Sequence, residues 1–208
     1  MYLSGDLIAG FHAASGENIS GGPDLGLDLL FRFRILEAGL LLDTGGPIFG
    51  SGNRSVAGGL LGLGSHGDGP FGGDLLLEGG AHTYSGIGSC GFCFDGDAGA
   101  GGSVGFVGAR AGLTVQQRHE HKPWLLTMGL WAWADVDTSS RQVTYTYVPT
   151  CLLDCTATPV TQTVAIGGVF EVGLAFRIGF DVQVNARQFA RDDDKGSVPS
   201  SSWDDERP

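Results

Sequence analysis

Over residues 164–182 the chain alternates without a break. One face carries Val164, Ile166, Gly168, Phe170, Val172, Leu174, Phe176, Ile178, Phe180 and Val182. The other carries Ala165, Gly167, Val169, Glu171, Gly173, Ala175, Arg177, Gly179 and Asp181. Successive side chains of a strand point to opposite faces, so a period of two is the signature of β-structure. This strand is greasy on one side and small or charged on the other, and that contrast limits where each side can be placed.

The contrast recurs along the chain. Leu25, Leu27, Leu29, Phe31 and Phe33 oppose Gly26, Asp28, Leu30, Arg32 and Arg34. Leu3, Leu7, Ala9 and Phe11 oppose Ser4, Asp6, Gly10 and His12, with Ile8 out of phase. Val107, Ala109, Ala111, Leu113 and Val115 oppose Gly108, Arg110, Gly112, Thr114 and Gln116. Met128, Leu130, Ala132, Ala134 and Val136 oppose Thr127, Gly129, Trp131, Trp133 and Asp135. Weaker strands fall at 40–44, 57–64 and 74–84, which makes eight, and no capped window of period 3.6 competes with them. Long connections (15–23, 46–55, 85–102, 137–161) alternate with shorter ones (34–38, 65–73, 117–123). An even strand count with long loops at one end is the pattern of a membrane barrel.

The polar face decides between a soluble barrel and a lipid-facing one. A soluble antiparallel sheet buries its Leu/Phe face. Here that would leave glycine on the exposed face of strand after strand, where it weakens a strand without packing anything. Glycine is 37 of 208 residues, more than twice the usual ~7%, so the difficulty is general. Inverting the barrel removes it. Small residues fit the crowded lumen of eight strands, charges pair there, and the apolar face meets hydrocarbon. Closure satisfies every strand edge, as lipid requires. The expected fold is therefore all-β: a closed, antiparallel, up-and-down transmembrane barrel of eight strands. It occupies residues 1–190, followed by a solvated, disordered acidic tail over 191–208.

Composition removes other classes. Twelve basic against 23 acidic residues, a net charge of −11, argue against nucleic acid, whose binders concentrate Lys and Arg on phosphate. No run approaches the ~18 apolar residues of a transmembrane helix. The start, Met1-Tyr2-Leu3-Ser4-Gly5-Asp6, lacks the basic and apolar segments of a signal peptide. An outer-membrane destination therefore carries with it a truncated or processed N-terminus.

On this pattern, with segments such as Gly167-Gly168-Val169-Phe170-Glu171-Val172-Gly173-Leu174, residues 2–182 resemble the small eight-stranded bacterial outer-membrane barrels of the OmpA/OmpX type. The resemblance is architectural, and it implies a bacterial outer-membrane location with outer-membrane lipid as the surrounding partner. Two departures stand out: no signal peptide, and an acidic tail where the class ends on an aromatic residue.

Candidate sites follow from the faces. Asp28, Arg32, Arg34, Glu78, Arg110, Glu171 and Arg177 are expected in the lumen as a network of mutually neutralising charges, with a conduction path as the alternative reading. Phe170, Val172, Leu174 and Phe176 are expected to face lipid. Cys90, Cys93, Cys151 and Cys155 sit in the two longest connections, at one end of the barrel. Disulfides, a four-cysteine zinc site and a redox CxxC all fit the spacing. An oxidising exterior favours disulfides, within or between loops.

His12, His82, Asp6 and Tyr84 are read as hydrogen-bonded lumen fillers rather than a catalytic or metal set. His119-Glu120-His121 is read as a solvated turn. Asp95-Gly96-Asp97-Ala98-Gly99 has the look of a calcium loop without an EF-hand's spacing. No catalytic residue, resident metal or cofactor is expected. The leading function is a non-enzymatic surface scaffold that binds an extracellular ligand or protein through loops 85–102 and 137–161. The alternatives are a narrow pore for small solutes and a soluble secreted calycin-like binding barrel.

Overall fold

A computed structural model describes residues 1–15, 21–46, 52–66, 69–87, 100–118, 124–147 and 159–184. They form ten strands: β1 (Tyr2–Ser15), β2 (Gly22–Phe33), β3 (Leu36–Gly45), β4 (Asn53–His66), β5 (Phe71–Ile87), β6 (Ala100–Arg118), β7 (Trp124–Asp137), β8 (Ser140–Tyr147), β9 (Val160–Gly167) and β10 (Phe170–Gln183). Eight close into an antiparallel barrel in the order β1-β10-β7-β6-β5-β4-β3-β2, while β8 and β9 pair as a separate two-stranded sheet. The first and last barrel strands meet along their whole length, from Tyr2 opposite Gln183 to Ser15 opposite Phe170.

The alternation sorts residues to the two sides of the wall. Leu7, Phe11, Leu25, Leu40, Leu61, Leu75, Leu77, Leu113, Leu130 and Ile178 are exposed outside, while Ser4, Asp6, Ile8, Asp28, Leu30, Arg32, Trp131 and Trp133 are buried in the lumen. Ile8 breaks the polar pattern because it belongs to an apolar layer across the lumen with Leu30, Leu41, Leu60, Leu76, Phe106 and Trp131. A wall apolar outside and charged inside suits hydrocarbon around it, and closure leaves no barrel strand edge exposed there. The fold is that of a transmembrane β-barrel.

Four features differ from the sequence expectation. The strand read across 164–182 is two strands. Gly167 and Gly168 take φ of +84° and +73°, conformations that only glycine adopts freely. The pair breaks the alternation: Ile166 and Val169 are both buried, and Phe170 faces outward at 49% exposed. The connection over 137–161 is largely a hairpin. β8 and β9 pair from Ser140 opposite Gly167 to Tyr147 opposite Val160, and Val164, Ile166 and Val169 pack on Tyr84, Ala100 and Val104 of the β5–β6 rim. Barrel strands also extend into the connection over 85–102, because β5 runs to Ile87 and β6 starts at Ala100.

Arg34 is the fourth correction. Phe33 pairs directly with Leu36, so Arg34 lies in a two-residue turn at φ 57°, exposed, with its guanidinium 5.7 Å from the Phe33 ring centroid. The alternation runs one residue past the real strand end, and the turn carries Arg34 out of the lumen.

Two glycines on the lumen face make room for large rings. Gly173 lies opposite Trp133, and a Cβ on Gly173 would collide with the Trp133 indole; on Gly112 it would meet the Trp131 ring at 3.0 Å. Gly173→Ala is therefore expected to overpack the lumen and cost about 1–3 kcal/mol. Urea unfolding in detergent micelles checks this, and a wild-type midpoint would refute it.

Candidate functional site

The lumen is the chemically dense part of the described structure. Its side chains come from the inward face of every barrel strand, so the alternation that builds the wall also aims them. At the short-turn end, Arg32 donates from Nε to Glu37 Oε1 (2.7 Å) and from Nη1 to Asp181 Oδ1 (2.6 Å). Arg177 donates from Nη1 to Asp74 Oδ2 (2.7 Å), and its Nε lies 3.1 Å from Asp6 Oδ1.

In the middle, Arg110 reaches Glu78 Oε2 (3.0 Å) through Nε and Asp28 Oδ2 (3.0 Å) through Nη1. Its guanidinium carbon lies 5.7 Å from the ring centroids of both Trp131 and Trp133. The Arg177 guanidinium carbon also lies over Trp131, 5.0 Å from its ring centroid. Delocalised guanidinium suits such stacking better than a compact ammonium.

Toward the loop-bearing end, Arg54 donates to Glu171 and to Asp24 Oδ1 (3.0 Å), with Asp43 at 3.6 Å. The other Asp24 oxygen lies 2.8 Å from His12 Nδ1. Beside them, His82 Nδ1 lies 2.8 Å from Asp137 Oδ1. Asp137 Oδ2 accepts from the Tyr84 hydroxyl (2.9 Å) and the Val169 amide (3.2 Å). The His82 ring stacks on Phe106 at 4.1 Å between centroids.

Of the charges singled out in the sequence, Asp28, Arg32, Glu78, Arg110, Glu171 and Arg177 thus lie buried in the lumen in ion pairs, and Arg34 does not. Phe170, Val172, Leu174 and Phe176 lie on the outer wall, 41–68% exposed. Cys90, Cys93, Cys151 and Cys155 fall outside the described residues, as do His119-Glu120-His121, Asp95–Gly99 and the 191–208 tail.

Sequence reasoning missed Arg54, which it placed in a connection, and gave no role to Asp24, Glu37, Asp74 or Asp137. Parity was the available signal for Arg54, through Val56 and Leu60 on the same face. It is obscured because Leu60 and its outward neighbour Leu61 are identical and glycine fills the positions around them. Counted over the described residues, the lumen holds eleven carboxylates against four guanidiniums and two imidazoles. His82, Asp135 and Glu171 form the group whose donor atoms could hold a metal ion.

A closed eight-stranded wall, apolar outside and packed with ion pairs inside, defines a small transmembrane barrel. No family model and no curated protein matches the chain. Among solved structures it is similar to Neisserial surface protein A (NspA), at 10% identity and a TM-score of 0.53 over 88% of this chain and 96% of that one. It also matches the β domain of the Bordetella autotransporter BrkA, at 12% identity over 88% of this chain and 98% of that one, but a TM-score of 0.32 carries no argument. The likeness to NspA is one of fold.

Proposed function

We propose that this protein is a non-enzymatic barrel of the bacterial outer membrane, a surface scaffold whose binding work is done by its loop-bearing end. The observation that carries the reading is the filled lumen. Trp131, Leu30, Leu41, Leu76 and Arg177 are all under 2% exposed, and a barrel of eight strands is only about as wide as its own side chains. NspA, which shares the fold, is by its name a surface protein.

The loop-bearing end offers a different surface. The β8–β9 hairpin displays exposed hydroxyl rungs on one face, Thr144 on Thr163 (2.8 Å) and Thr146 on Thr161 (3.0 Å), while the half-buried Tyr145 meets Gln162 (3.0 Å) on the other. Hydroxyl and amide groups on a strand pair give an adaptable hydrogen-bonding face, suited to a protein or glycan partner more than to a lipid. Conductance of the purified protein in a planar bilayer tests the scaffold reading. The expected result is no channel steps; reproducible ion-selective steps would replace the scaffold with a narrow pore.

The cysteine reading belongs to the same proposal. Cys90, Cys93, Cys151 and Cys155 are expected to be oxidised in a protein whose loops face an oxidising exterior. Labelling of the unreduced, denatured protein should find no reactive thiol, and four labels would refute the pairing. Replacing all four with Ser should leave the heat-modifiable gel migration of the barrel intact, since its strands close without them.

A further inference from the structure

Most lumenal carboxylates pair with a guanidinium, but one set of donor atoms is left over. His82 Nε2, Asp135 Oδ1 and Glu171 Oε1 have no hydrogen-bond partner among the described residues. The residues are 1%, 4% and 0% exposed, and one donor atom from each lies within 4.8 Å of those of the other two. They arrive from three different strands, β5, β7 and β10, with Asp135 directly opposite Glu171 across the β7–β10 pair. Two carboxylate oxygens and a ring nitrogen converging in a dry interior are costly unless a cation sits among them.

The surroundings fix which cation chemistry fits. Asp137 is an acceptor, already receiving the Tyr84 hydroxyl and the Val169 amide on one oxygen. Its other oxygen, 2.8 Å from His82 Nδ1, calls for an N–H there. In the neutral ring that leaves Nε2 as a lone pair on the side of Asp135. Nε2 stands 3.8 Å from Asp135 Oδ1, too far for a hydrogen bond even were it protonated. A carboxylate holding one imidazole nitrogen so that the other can ligate is the arrangement found behind metal-binding histidines. Glu171 is held in the same way, because Arg54 takes its Oε2 and leaves Oε1 without a partner among the described residues. One imidazole and two carboxylates form a donor set for zinc-class divalent ions.

We propose that His82, Asp135 and Glu171 bind one divalent cation of the zinc class inside the barrel, with Asp137 and Arg54 as positioning residues. Ligation needs a modest contraction, from the present spread toward the ~3.4 Å ligand separation of a tetrahedron with ~2.1 Å bonds. Such an ion would tie β5, β7 and β10 together beneath the apolar cover formed by Tyr84, Val104, Ile166 and Val169. It also offsets part of the lumenal acid excess. The assignment departs from the sequence expectation of no metal, because only the fold brings residues 82, 135 and 171 together.

The test uses the full chain folded in detergent micelles, stripped with chelator and titrated with ZnCl2 by calorimetry. The expected result is one equivalent bound to the wild type. Asp135→Asn should weaken binding by about 100-fold or more, and Asp137→Asn by about 10–100-fold. Asp6→Asn, the same charge change at the other end of the lumen, should leave it unchanged. X-ray absorption of the zinc-loaded wild type provides a second readout that requires no variant to fold: one imidazole with oxygen ligands and no sulfur. Lack of stoichiometric binding, indifference to Asp135→Asn, an equal loss in Asp6→Asn, or a sulfur shell pointing to the cysteines would each overturn the proposal.

Discussion

Arg110→Met should destabilise the barrel by about 3–5 kcal/mol, because it strands two buried carboxylates that share one guanidinium. Glu78 and Asp28 lie 2.9–3.0 Å from Arg110, and its guanidinium donates to both. The informative comparison is the triple variant Arg110→Met, Asp28→Asn, Glu78→Gln. Removing a whole buried ionic cluster is often close to neutral, whereas removing one member is not. Urea unfolding in lipid or detergent should therefore place the triple variant well above the single one. A triple variant as unstable as the single would mean that Arg110 acts through its packing on Trp131 and Trp133 rather than through its charge.

On the outer wall, Leu174→Arg should cost about 2–4 kcal/mol and Phe170→Arg only about 0–1, because the cost of a cation on the lipid face falls from the bilayer midplane to the interface. Leu174 is 68% exposed on the outside and lies two repeats of the alternating pattern further into β10 than Phe170, which starts the strand at its loop-bearing end. Four residues of a tilted strand separate them by about 10 Å of depth. Paired refolding and unfolding titrations in lipid vesicles give both values. Equal small effects at the two positions would mean that hydrocarbon does not contact this wall.

Where one face differed sharply from the other, the sequence was enough to read the wall. Leu25, Leu27, Leu29, Phe31 and Phe33 against Asp28 and Arg32 leave one choice of inside and outside. Legibility fails where the contrast vanishes. In β4, Leu60 points in and Leu61 points out, so parity carried no information and Arg54 was lost. In β8 and β9 the apolar stripe is short, Val143 and Tyr145 with Val164 and Ile166, and threonines fill the other face, so β8 and the start of β9 read as a loop. The Gly167-Gly168 pair hid a strand break, since small residues fit either face. Arg34 shows the opposite error, a pattern carried past its turn.

The lumenal pairs were legible as a set of charges but not as partners. Arg32 with Asp181 and Arg177 with Asp74 are joined only by the closure of the barrel. The grouping of His82, Asp135 and Glu171 lies at the same distance from anything a local window contains.

The seam between β1 and β10 sets the order in which such a chain can be assembled. Tyr2 pairs with Arg32 of β2 on one side but gains its partner on the other only when Gln183 arrives, so the contact that completes the cylinder has nearly the greatest sequence separation available to the described residues. A barrel missing β10 would present the bare edges of β1 and β7 to hydrocarbon, where unsatisfied backbone groups cost several kcal/mol each. No stable half-built form is therefore available inside the membrane. Entry into the bilayer and final strand registration become one late, cooperative event, slow because its loop-closure entropy is lost before the last hydrogen bonds repay it.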